Sequence, residues 1–129
     1  MHRKYFIYVH ERDCYDLYLF SEKVQALCNY FIIQFENLME VPPFLSRIPD
    51  NNYPAFIIID LRNTTQVPTL ISELQQIDFM PTLPVLVLWE AEKPGMSHKN
   101  TRLYERPQNN EGWEHLANYV VQFCQVPSR

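Results

Sequence analysis

The sequence predicts an α/β domain built on a parallel sheet, and three observations carry that prediction. The first is the stretch from Tyr53 to Arg62 (YPAFIIIDLR), a β-branched apolar run that ends in one carboxylate, Asp60. A run of this kind suits a strand buried on both faces of a sheet. Pro54 at its start, and charge after so few residues, favour a strand over a buried helix segment. The second is Val85–Trp89 (VLVLW), another continuous apolar run. The third is that stretches of helical period alternate with the strands, which implies β-α-β units with right-handed crossovers. Asp60 then falls at the carboxyl end of a central strand, where open parallel sheets place their chemistry.

The elements follow in order. Lys4–His10 (KYFIYVH) reads as a first strand, followed by the polar His10-Glu11-Arg12-Asp13, with Asp13 or Asp16 available to cap a helix. Leu17, Phe20, Val24, Leu27, Cys28 and Phe31 recur at three- and four-residue steps and form one apolar stripe. That helix is expected to end near Cys28 or Asn29, with a second strand over Tyr30–Phe35. Pro42–Ile48 fits a short helix with proline in its first turn, and Pro49–Asn52 is a turn cluster. After the central strand, Leu70, Ile71, Leu74 and Ile77 predict a helix over Val67–Ile77. The strand Val85–Trp89 leads into a polar loop, Glu90–Asn100. Thr101–Arg106 predicts a short polar strand. Glu111–Gln125 closes the chain as a helix, with Trp113, Leu116, Ala117, Val120 and Cys124 on one face.

Composition narrows the function classes. A chain of 129 residues suits one domain, 1–129, with a real core. Its 47% apolar and 20% charged residues are those of a globular protein and not of a disordered one. A formal charge of −4 argues against a nucleic-acid binder, which needs a clustered basic face. No apolar run reaches the length of a membrane span, so no membrane partner is expected. Cys14, Cys28 and Cys124 are odd in number and widely spaced, and no secretory leader is evident. The simplest expectation is reduced thiols in a cytoplasmic protein. Gly95 and Gly112 are the only glycines, so neither a P-loop nor a dinucleotide fingerprint can be built. No cofactor is expected.

Three features together resemble the receiver domains of two-component response regulators. They are the apolar strand ending in Asp60, the run Leu83-Pro84-Val85-Leu86-Val87-Leu88 at the right distance after it, and Arg106-Pro107 after the last strand. The resemblance spans nearly the whole chain. It implies a flavodoxin-like three-layer sandwich with a five-stranded parallel sheet of order 2-1-3-4-5, and it makes Asp60 the equivalent of the phosphoacceptor. Between the fourth and fifth strands, where receivers carry a helix, only Ala91–Asn100 is available, with Pro94 and Gly95 in its middle. That helix is expected to be shortened or missing, a deletion similar to that in clock-type pseudo-receivers.

The departures from the family pattern bear most on function. Where receivers resembling this one hold Mg²⁺ with an acidic pair after the first strand, this chain has His10-Glu11, with Asp13 close behind. A hard cation prefers oxygen ligands, so His10 weakens such a site and leaves Glu11, Asp13 and Asp60 as weak candidate ligands. Trp89 falls where the family places a small hydroxyl residue, Glu90 where it places a small one, and Arg106 where it places lysine. A bulky indole and an added carboxylate oppose an incoming phosphoryl dianion. Leu103 falls where receivers usually carry the aromatic residue of their switch.

Each residue also has a plainer reading. Asp60 and Arg106 can form a structural ion pair; His10 can be a packed histidine, and His98 and His115 surface residues. Trp89 can fill core or plug the site. The resulting expectation is a pseudo-receiver, a signalling or scaffolding module that works by contact with a signalling protein or a second copy of itself, without phosphotransfer and not as an enzyme. Arg102 and Tyr104 on the last strand are the expected interaction face. The alternatives are a phosphorylatable receiver using Asp60, and a small-ligand sensor using the cleft around His10, Asp60 and Trp89.

Overall fold

The computed structural model describes residues 5–10, 15–48, 54–62, 65–76, 83–90, 93–95 and 101–125. Five strands, β1 (Tyr5–His10), β2 (Phe31–Phe35), β3 (Ile57–Asp60), β4 (Val85–Trp89) and β5 (Thr101–Glu105), form one parallel sheet of order β2-β1-β3-β4-β5. Four α-helices accompany them: α1 (Tyr15–Leu27), α2 (Val41–Arg47), α3 (Val67–Gln75) and α4 (Asn110–Gln125), with a 3-10 turn at Leu38–Glu40.

The pleat sorts the central strands into two cores, because successive side chains alternate between faces. Tyr5, Ile7, Val9, Ile57, Ile59, Val85 and Val87 pack with α2, α3 and the 3-10 turn on one face. Phe6, Tyr8, Ile58, Leu86 and Leu88 pack with α1 and α4 on the other. The two cores explain the unbroken apolar runs: β1 is buried along its whole length, and β3 and β4 up to their last residue. Trp113, Leu116, Ala117 and Val120 all face the second core, as their spacing requires.

Several boundaries differ from the sequence reading. The stretch from Tyr53 contributes only Ile57–Asp60 as strand, because Pro54 has no N–H to offer a ladder. The residues before Ile57 still follow β1, with the Ala55 N–H donating to the Tyr5 carbonyl at 2.8 Å. The apolar stripe of α1 holds for Leu17, Phe20 and Val24, and Cys28 just past the helix packs on the same core, whereas Leu27 and Phe31 leave the stripe. The helix ends at Leu27, which is exposed, and Phe31 belongs to β2, where it stacks on Tyr5 in the opposite core. Asp16 lies inside α1, where its side chain pairs with another element rather than capping the helix.

β5 forms one edge of the sheet and pairs with β4 alone among the described residues. No helix lies between these two strands among the described residues. At the start of α4, Asn109 accepts the Gly112 N–H on its side-chain oxygen at 2.7 Å, which satisfies a donor of the first turn. None of the described helices is long and apolar enough to cross a membrane.

Candidate functional site

The winding of the sheet reverses between β1 and β3, since the chain moves from β1 out to β2 and then back past β1 to β3. At such a switch point the loops at the carboxyl ends diverge and open a crevice. The last residues of these two strands, His10 and Asp60, are register partners there. Both follow the pleat toward the face covered by α1 and α4, as do Tyr8 and Ile58.

Asp60 is held from two sides. Arg106 approaches it with a fork: Nε donates to Oδ1 at 2.7 Å and Nη2 to Oδ2 at 3.2 Å. The Tyr8 hydroxyl donates to Oδ2 at 2.8 Å. Tyr8 is fixed in that role because burial, and then the negative charge of Asp60, raise its pKa well above the ordinary phenol value. It therefore stays protonated and keeps donating.

Arg106 is positioned as firmly. Its backbone N–H continues the β4–β5 ladder by one bond, donating to the Trp89 carbonyl at 2.7 Å. Its Nη2 reaches Asp16, in the first turn of α1, as well as Asp60. Its guanidinium lies over the Trp113 ring, 5.3 Å from the centroid, an arrangement in which the ring face attracts the cation. Burial works against the charge on Arg106, yet the hydrogen bonds to Asp60 and Asp16 outweigh it and raise the pKa. The side chains are 10% exposed at Asp60, 24% at Arg106 and 29% at Asp16, so the cluster is shielded without being sealed. Two carboxylates share one guanidinium, drawn from α1, β3 and the end of β5.

His10 is 4% exposed, and its Nε2 lies 2.9 Å from the Gln34 Oε1 on β2. Its ring is 6.2 Å from that of Tyr8. A buried imidazole with an amide partner is a packed polar group and needs no metal to satisfy it.

This architecture has well-defined counterparts among solved structures. A signal receiver domain of a two-component histidine kinase from Clostridium thermocellum superposes with a TM-score of 0.68 at 15% identity, covering 95% of this chain and 98% of that one. The manganese-bound form of the response regulator Rcp1 gives 0.67 at 15% identity, covering 95% of this chain and 96% of that one. A response regulator receiver protein from Sinorhizobium medicae gives 0.64 at 11%, with 96% of each chain covered. The fold is that of a response-regulator receiver. No family model matches the sequence, and no curated protein matches it either.

On the receiver fold, the residues singled out in the sequence distribute unevenly. His10, Asp60 and Arg106 converge at the switch point, and Arg106 and Asp60 form the ion pair. Trp89 ends β4 half-buried, and Glu90 is exposed beside it. Glu11 and Asp13 lie outside the described residues, as do Cys14 and His98. Among the described residues no group of three or more metal-ligating side chains is placed to hold an ion. Arg102 is exposed on β5. Tyr104 is drawn inward instead, half-buried against the α4 core and 5.3 Å from the Tyr119 ring.

Sequence reasoning missed three contributors: Asp16, Tyr8 and Gln34. Asp16 was legible only as a cap. Tyr8 looked like core, and its ring is core, but its hydroxyl reaches the strand end. Gln34 interrupts the apolar run of β2, and that interruption was the available signal.

Proposed function

We propose that this domain is a pseudo-receiver that signals through protein–protein contact and does not take phosphate on Asp60. The observation that carries the reading is the bridging position of Arg106. In a phosphoryl-accepting receiver the acceptor carboxylate must be free to attack, with a divalent cation balancing the charge of the incoming group. Here the two described carboxylates of the crevice, Asp16 and Asp60, already share an internal cation. A guanidinium is planar, permanently charged and fitted to carboxylates in two-point contact, so it is harder to displace than the compact ammonium of lysine. Tyr8 adds a neutral donor to the same acceptor oxygen. Trp89 and Glu90 stand at the end of β4, the strand next to β3.

The test is incubation with a small phosphodonor and Mg²⁺, followed by intact mass. The expected result is no adduct. An adduct that disappears in Asp60→Asn refutes the reading and makes the domain a phosphorylatable receiver. Against the small-ligand alternative, Asp60, Arg106 and Tyr8 hydrogen-bond among themselves at the crevice, and His10 Nε2 meets Gln34. For the contact face on β5, Arg102 is the exposed member and Tyr104 is half-buried, so Arg102→Glu is the variant that alters the surface.

A further inference from the structure

Three large hydrophobic side chains stand exposed on the described surface, and all three belong to α1: Tyr15 at 66%, Tyr18 at 63% and Leu27 at 43%. Single exposed apolar residues are ordinary, but several gathered on one element mark a contact face. One of them, Leu27, lines an open groove of about 270 Å³ between α1 and α4. Leu19, Ala26 and Leu27 give it an apolar floor, and Glu22, Lys23, Glu114 and Asn118 give it a polar rim. Tyr18 lies one turn before Glu22, whose hydrogen bond and negative charge raise its pKa.

The charge around the groove is net negative. Glu22 and Glu114 face only Lys23 within the rim, and Glu111 is exposed one turn before Glu114 on α4. The fourth carboxylate of this region, Asp16, is already neutralised by Arg106. A second copy of the chain docking groove to groove would set these glutamates against themselves. A partner with apolar residues along one stripe and lysine or arginine beside it meets both features at once. We infer that the α1–α4 groove receives a basic amphipathic helix of a partner protein.

The dimensions suit a short contact. The α1 lining runs from Leu19 to Leu27, about 12 Å, so the groove accommodates roughly two turns of a partner helix, anchored at positions i, i+3 or i+4, and i+7. The acidic rim orients the incoming helix and speeds its encounter, while the apolar floor supplies the contact. Such a surface is small by the standard of permanent complexes, so binding is reversible and salt-sensitive.

This proposal rests on the contact-based reading above and supplies its partner class. The test uses the full chain, ¹⁵N-labelled, titrated with a leucine–lysine peptide of about 14 residues that forms one apolar helical stripe. A peptide with the same leucines and glutamate for lysine is the control. The expected result is amide shifts centred on Ala26, Leu27, Glu114 and Asn118 with the basic peptide only. Glu22→Gln with Glu114→Gln, and separately Leu27→Gln, should each weaken binding at least fivefold while melting like the parent. Equal binding of the acidic peptide, shifts centred elsewhere, or no shifts would overturn the proposal. So would sedimentation as a dimer that Leu27→Gln dissociates, since the occupant would then be a second copy. A failed titration with no phosphate adduct refutes the groove alone, whereas an adduct at Asp60 refutes the contact-based reading whatever the peptide does.

Discussion

Removing Arg106 perturbs the candidate site more than removing either carboxylate, because one guanidinium serves both. Exposed ion pairs contribute about 0–1 kcal/mol, and breaking a buried one costs about 3–5 kcal/mol. With side chains 10% and 24% exposed, the Asp60–Arg106 pair lies between these limits. Arg106→Ala strips Asp60 of two hydrogen bonds and leaves Asp16 unpaired, so it should cost about 3 kcal/mol. Asp60→Ala should cost about 2 kcal/mol, since Arg106 keeps Asp16 and the face of Trp113. Once one partner is gone the second loses most of its meaning, so the double variant should lose about 3 kcal/mol and not 5, a coupling of about 2 kcal/mol. For a chain of this size Arg106→Ala would lower Tm by about 10 °C. Urea and thermal melts of the four proteins give the cycle, and repeating it at about 0.5 M salt should leave most of the coupling, because screening acts weakly on shielded pairs. Losses that add to within about 0.5 kcal/mol would refute the argument. Arg106→Lys should fall between, since it keeps charge and loses the two-point contact.

Asp16→Asn should cost about 1 kcal/mol by melt, less than Asp60→Ala, because its side chain is the most exposed of the three; an equal or larger loss would make Asp16 the principal partner of Arg106. Tyr8→Phe should lose about 1 kcal/mol at neutral pH with the hydrogen bond to Asp60. Tyr8 ionises at a higher pH folded than unfolded, so its contribution is whole below about pH 10 and is lost as pH rises through the folded value. The stability gap between parent and Tyr8→Phe should therefore stay constant below about pH 10 and narrow above it, and a widening gap would contradict the assignment. Asn109→Ala, which removes the acceptor at the start of α4, should cost about 1 kcal/mol, and an unchanged melt would show that the cap is dispensable.

The fold was legible because its central strands are buried on both faces. Ile57, Ile58 and Ile59 must be apolar without alternation, since odd and even positions enter different cores. The same constraint wrote the runs at Tyr5–Val9 and Val85–Leu88. Where burial is one-sided or partial, the signal weakened. Leu27 and Phe31 continue the three- and four-residue spacing of α1 by coincidence, because β2 begins a few residues after the helix ends, and nothing in periodicity separates the two. β5, with three residues half-buried and two exposed, carries almost no pattern of its own and was placed by its neighbours.

The site was legible only where a strand end fixes a residue's direction. Asp60 and His10 end adjacent strands, and parallel register alone brings them together. Arg106 follows from the same logic, being one bond beyond the β4–β5 ladder. Asp16 has no such anchor, because its reach depends on how α1 rotates over the sheet, which the apolar face of Leu17, Phe20 and Val24 decides. That rotation points the first turn of α1 at the crevice, and a carboxylate there meets whatever cation the last strand delivers. Lysine at position 106 could satisfy one carboxylate as a point charge; arginine spans both. Arginine at position 106 and Asp16 on α1 therefore make sense together, as two halves of one internal bridge, and neither is informative without the other. A variant carrying Arg106→Lys with Asp16→Ala tests this directly: it should regain part of the stability lost in Arg106→Lys alone, because it removes the carboxylate that lysine cannot reach. A further loss in the double variant would show that Asp16 stabilises the fold independently of the bridge.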